Sequence, residues 1–152
     1  MTDPIAFDAS SPRFGMPLLF AGQAQKEFYV NEAHALVDAL LHPAVEGTLN
    51  APPANPVDGQ AWLVGTAPSG GWTGHGGALA SWQGGNWLFT RPVDGMRVFD
   101  RAKGLDMLYF AGWKQPAAPA APTGGTTIDA EARVAILQLI SALCIAGIFP
   151  AS

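Results

Sequence analysis

Charge is what this chain has least of. Only 13% of its 152 residues are Asp, Glu, Lys or Arg, about half the ~25% usual in soluble domains. Its eight Lys and Arg are scattered and the net charge is −4. No basic stripe is therefore present to neutralise phosphates, and nucleic acid is excluded as a partner. Cysteine occurs once, at Cys144, which excludes an internal disulfide. Within Leu143-Cys144-Ile145 it reads as a buried structural thiol. Histidine occurs three times. His34 and His42 stand eight apart on a helical pattern, but no Cys, Asp or Glu completes a metal-ligand spacing, so no metal site is expected.

Long hydrophobic runs are missing as well. The most apolar stretch, Val134 to Phe149, is interrupted by Gln138 and Ser141 and falls short of the ~20 residues a membrane span needs. The first residues carry Asp3 and Asp8 and no apolar run behind basic residues. No secretory signal is read there, and synthesis in the cytoplasm is expected.

The usual starting points for catalysis are equally scarce. Gly70 to Gly77 lacks the Lys and the following Ser or Thr of a phosphate-binding loop, and no Gly-x-Ser-x-Gly elbow occurs. Asp58, Asp94, Asp100 and Asp106 lie at or near predicted turns, where Asp is favoured for backbone reasons alone. No catalytic residue is assigned, no cofactor is implied, and a non-enzymatic role is expected.

What the chain does have is hydrophobicity (49%), 18 Gly and 13 Pro. That is too apolar for a disordered chain, and it allows one domain with a real core. With so little charge to keep it soluble, much of its surface is expected to be covered by partners.

Residues 1–22, with Phe7, Phe14, Leu18, Leu19 and Phe20 among Asp, Ser, Pro and Gly, read as an extended docking arm. From Gln23 to Leu41 the period becomes helical. Tyr29, Ala33, Leu36, Val37, Leu40 and Leu41 share one face, expected to pack on a sheet, and Pro43 ends the helix. After the turn-rich 51–59, short apolar runs alternate with Gly-bearing turns. They are Ala61–Val64, Leu79–Trp82, Trp87–Phe89, Met96–Phe99 and Met107–Phe110. Gly84-Gly85 predicts a tight hairpin, because glycine supplies the positive φ such turns demand.

The expected fold is thus α+β: an N-terminal helix on a small antiparallel β-meander, together spanning residues 23–114. A Pro/Ala-rich linker follows over 115–126, of polyproline II character. An apolar C-terminal helix occupies 127–152. Thr127 is its candidate N-cap, and Asp129 and Glu131 suit the positive end of the helix dipole. Arg133, Gln138 and Ser141 share one side, leaving well over half the circumference apolar. Fully burying a large apolar side chain is worth ~1.5–3 kcal/mol, so this helix is expected to associate, with Val134, Leu137, Ile140, Leu143 and Ile145 driving oligomerisation.

Aromatics gather in the middle: Trp62, Trp72, Trp82, Trp87 and Trp113 all fall within or beside the strands. Core filling explains most of them. Trp72 and Trp82, with His75 in the glycine-rich loop, are the candidates for an exposed sugar-stacking site.

The block Gly15-Met16-Pro17-Leu18-Leu19-Phe20-Ala21-Gly22-Gln23-Ala24-Gln25-Lys26-Glu27, followed by Asn31-Glu32-Ala33, resembles the opening of a known family. So do Trp72-Thr73-Gly74-His75, Ala80-Ser81-Trp82, Gly85-Asn86-Trp87 and Pro92-Val93-Asp94-Gly95. That family is a domain of unknown function found in alphaproteobacterial prophages and gene transfer agents. The resemblance spans roughly residues 13 to 113, and Thr126 to Arg133 is similar to the ends of short family members. It implies a virion component: the base or adaptor of a head spike or tail fibre, bound to capsid or tail proteins and holding a fibre protein that engages the host. It gives no catalytic residue to carry over. The implied place is the particle surface, the implied assembly a homo-oligomer, and the alternative reading a module binding capsule polysaccharide through exposed tryptophans. Closed rings are usual for identical subunits; threefold symmetry would suit a fibre and fivefold a capsid vertex.

Overall fold

The computed structural model describes residues 10–13, 16, 18–19, 27–125 and 129–150. Along the chain they form α1 (Glu27–Leu40), β1 (Ala44–Val45), β2 (Thr48–Leu49), β3 (Ala61–Val64) and β4 (Leu79–Gln83). Then come β5 (Asn86–Thr90), β6 (Arg97–Asp100), β7 (Leu105–Tyr109), β8 (Trp113–Lys114) and α2 (Ala130–Ile145). The class is α+β, and all five expected strands are present. The meander is not continuous, however. The strands divide between two four-stranded sheets, ordered β2-β3-β4-β5 and β1-β6-β7-β8. The two-residue strands β1 and β2 pair in parallel with β6 and β3; every other pairing is antiparallel. One compact unit runs to Pro43 and over Thr48–Arg91; the other takes Ala44–Gly47 and everything from Pro92 onward.

In the first unit, Gly84 and Gly85 take φ of 57° and 78°, so the two-residue turn that joins Gln83 to Asn86 has the primed form that matches strand twist. Trp62, Val64, Trp72 and Ala80 are buried together, with Trp87 and Phe89 packed against them. Leu63 and Leu79, adjacent in sequence to residues of that cluster and so on the opposite face of the sheet, are also buried, as is Ala61. A sheet covered on both sides explains why β3 shows no polar alternation.

The arm docks on α1. The buried carboxylate of Asp38 accepts the Ser11 hydroxyl at 2.6 Å and the Arg13 backbone N–H at 3.1 Å. The Arg13 guanidinium donates to the carbonyls of Asp38, Ala39 and His42 at 2.7, 2.9 and 2.7 Å. These belong to the last turn of α1 and the residues beyond it. That turn holds no basic residue of its own, so the arm supplies the cation that its exposed carbonyls favour. Asn31 completes the docking by exchanging hydrogen bonds with the Leu19 backbone at 2.8 and 3.1 Å. Among the described side chains of α1, the buried ones are Ala35, Asp38 and Ala39. The apolar stripe expected to pack on a sheet lies elsewhere: Tyr29, Val37 and Leu41 are exposed, and Leu36 and Leu40 half-buried. Polar groups that complement the arm, rather than the leucines, decided which side was covered. Residues 23–26 of the expected helix lie outside the described residues.

In the second unit β6 and β7 alternate. Val98, Asp100, Leu105 and Met107 are buried, while Arg97, Phe99 and Asp106 face outward. Asp100 tightens the turn after β6 by accepting the Lys103 N–H at 3.2 Å. The N-cap of α2 is Asp129, whose carboxylate accepts the Ala132 N–H at 2.8 Å. Thr127, the residue expected there, lies outside the described residues. At the other end Gly147, with φ of 70°, closes the helix. Its N–H reaches Cys144 O at 3.0 Å while the Ile148 N–H reaches Leu143 O at 2.9 Å, the paired bonds of a Schellman stop. The Gly147 carbonyl then accepts the Asp106 N–H of β7 at 2.8 Å, which pins the end of the helix to that strand.

Candidate association site

No residue of α2 is buried. Val134, Leu137 and Ile145 are exposed, Ile145 to 86%; Ile140 and Leu143 are half-buried. Ile136 and Leu139 join the exposed set. At 100° per residue, Arg133, Ile140, Leu143 and Cys144 cluster on the half-buried side. Val134, Ala135, Leu139, Ala142 and Ile145 lie around the opposite side, with the polar Gln138 among them. The five residues expected to drive association are therefore split between two sides of the helix. The outward side is the more exposed and includes Leu139, which periodicity alone did not single out. Cys144 is half-buried rather than buried.

The apolar stripe of α1 is a second uncovered surface, with Tyr29 79% exposed among the described residues. A third lies at the end of the second sheet. Tyr109 and Trp113 meet edge to face at 5.2 Å, and Phe110 beside them is 62% exposed. The Asp94 carboxylate accepts the Ala111 N–H at 3.0 Å and holds this tip.

The tryptophans expected to form an exposed pair are not one. Trp72 is fully buried, 0% exposed, at the centre of the first unit, where its ring meets Trp87 edge-on at 5.0 Å. No sugar ring can stack on it there. The Gly-rich segment around it forms a 3-10 turn, Gly70–Trp72, which folds the indole inward against the sheet. Trp82 is half-buried and packs on its cross-strand neighbour Trp87 at 4.9 Å, a pairing of the kind that stabilises antiparallel strands. Trp62 meets Trp87 at 5.7 Å, so Trp87 is the hub of the cluster. His75 is exposed and lies flat on Phe89, ring centroids 3.6 Å apart and planes 10° from parallel. It orients its loop by stacking, while its backbone N–H bonds Trp72 O at 3.0 Å.

A shallow groove of 330 Å³ on the second unit is lined by Arg97, Asp106, Leu108, Lys114, Gln115, Pro116 and Ile148. It holds one carboxylate and two cations over an apolar floor. Among the described residues no three His, Cys, Asp or Glu come together as a metal site requires, and no helix is long and apolar enough to cross a membrane.

The architecture is that of a small two-sheet α+β protein that leaves several apolar patches uncovered. The chain belongs to a family described as protein of unknown function (DUF2793), whose model matches residues 30–114, more than half of its length. No curated protein matches it.

Proposed function

We propose that this protein is a structural, non-catalytic component of a phage-like particle or gene transfer agent. It serves as the base or adaptor of a head spike or tail fibre, binds capsid or tail proteins, and anchors a fibre that engages host polysaccharide. The particle context rests on the family resemblance of the motifs from Gly15 to Gly95. The assembly role rests on α2: sixteen mostly apolar residues, none buried, beyond a Pro/Ala linker. Such a helix gains ~1.5–3 kcal/mol for each large side chain that a partner buries, which favours a homo-oligomer over a lone chain.

Because Gly147 is bonded to β7, deleting the C-terminal segment also removes a contact of the sheet. Point substitution is the cleaner test. Val134→Asp with Leu139→Asp on the outward side is expected to reduce the light-scattering mass of the full chain from a discrete oligomer to a smaller species and to prevent entry into particles, with tryptophan emission unchanged. Unaltered mass and unaltered incorporation would refute association through α2.

A further inference from the structure

The two sheets have four edge strands: β2 and β5 in one, β1 and β8 in the other. Natural proteins guard such edges by making them short, by placing lysine or proline on them, or by bulging them. β1, β2 and β8 are each two residues long, and β8 carries Lys114 with Pro116 just beyond. β5 is the long edge: Arg91 and Pro92 follow it and limit its extension past Thr90, but the strand itself carries none of these protections. It is five residues, Asn-Trp-Leu-Phe-Thr, without charge or proline, and pairs with β4 at every position without a bulge.

The register fixes which groups this edge offers. A two-residue turn makes Gln83 and Asn86 a hydrogen-bonded pair. Bonding then alternates, so Ser81–Leu88 and Leu79–Thr90 are bonded while Trp82–Trp87 and Ala80–Phe89 are not. Trp82 accordingly directs its own groups to the far side, donating to Gln60 O and accepting from Gly59 N–H, each at 2.9 Å. The N–H and C=O of Trp87 and Phe89 therefore point away from the sheet, and no backbone bond engages them among the described residues.

We infer that β5 is an assembly edge that pairs antiparallel with β5 of a second copy about a twofold axis at Leu88. The two outward residues are placed symmetrically about Leu88, so the strand is complementary to itself. Trp87 exchanges both backbone bonds with Phe89 of the second copy, and Phe89 with its Trp87, giving four hydrogen bonds. Leu88 meets Leu88, and Asn86 meets Thr90. No charge opposes a like charge, and two four-stranded sheets become one of eight. This surface is separate from α2 and goes beyond the reading above, adding a second, isologous contact.

The full chain tests it. Asn86→Lys with Thr90→Lys places lysine opposite lysine twice across the axis, whereas Asn86→Lys with Thr90→Glu places opposite charges at the same positions. The Lys–Lys variant is expected to weaken the contact about tenfold and to halve the light-scattering mass; the Lys–Glu variant is expected to keep the wild-type mass. Amide exchange followed by NMR supplies the second readout. Trp87 and Phe89 should be protected in the wild-type chain and in the Lys–Glu variant, and should exchange rapidly in the Lys–Lys variant. Free-edge exchange of both amides in the wild-type assembly overturns the inference. So does a Lys–Lys variant of unchanged mass, or a Lys–Glu variant that dissociates with it. The α2 substitutions leave both amides protected if edge pairing holds, so the loss of one interface is distinguishable from the loss of the other.

Discussion

Replacing Asp38 with alanine asks how strongly the arm is held. The Asp38 side chain is 1% exposed and Ser11 3%, so the bonds between them form out of water. The substitution removes the hydrogen bonds that the carboxylate accepts from the Ser11 hydroxyl and the Arg13 N–H, each worth ~1.5–3 kcal/mol for a charged acceptor. Ser11 Oγ still accepts the Met16 N–H at 3.0 Å, but the acceptor for its own proton is gone. A loss of about 3–5 kcal/mol is expected, a third or more of the stability of a typical domain. Asp38→Asn keeps the shape and one acceptor oxygen and should lose roughly half as much.

Urea unfolding followed by tryptophan emission measures the change, since Trp72 and Trp87 lie in the core of the same unit. Trypsin supplies a local readout. With its guanidinium bonded to three carbonyls of α1 and its end, Arg13 should resist cleavage in the wild-type chain and be cut readily in Asp38→Ala. A midpoint shift worth less than ~1 kcal/mol together with an unchanged cleavage rate would refute the reasoning, because the arm would then rest on α1 without stabilising it.

Two further substitutions probe the fold. Trp72→Ala opens a cavity in the tryptophan cluster and should cost ~3–5 kcal/mol. Trp72→Phe should cost clearly less, because the indole N–H is buried without a hydrogen-bond partner among the described residues and its loss removes no bond; equal losses in thermal melts would refute that account. Ala111, at φ of 48°, holds a left-handed conformation that costs an L-residue roughly 1–2 kcal/mol. Ala111→Gly should therefore raise Tm, and a lowered Tm would refute the strain.

The strands were legible because each is a short apolar run between glycine-bearing turns, and the two-glycine hairpin fell where the sequence placed it. Their division into two sheets was not. It turns on β6 not pairing with β5, its neighbour along the chain, and the strands that complete each sheet, β1 and β2, have two residues each, too short to carry a period. The burial of Trp72 was hidden for a related reason. Glycine and polar neighbours suggest an exposed loop, whereas the 3-10 turn at Gly70–Trp72 points one large side chain inward and leaves its neighbours outside.

The helices show where periodicity stops informing. It identified correctly which residues of α1 share a face, and was silent on whether that face would be covered. In α1 the side bearing Asn31, Ala35, Asp38 and Ala39 was taken by the arm, through hydrogen bonds that no hydrophobic pattern encodes; the stripe from Tyr29 to Leu41 was left outward. In α2 the apolar surface exceeds what one side can bury, so Val134, Leu139 and Ile145 remain exposed. Composition carried the missing information in another form. A chain with 13% charged residues cannot clothe its whole surface in charge, so whichever faces folding covers, apolar ones are left over. Two helix stripes, the aromatic tip at Phe110 and the β5 edge are that remainder, and burying them against other chains is what the proposed assembly role would do.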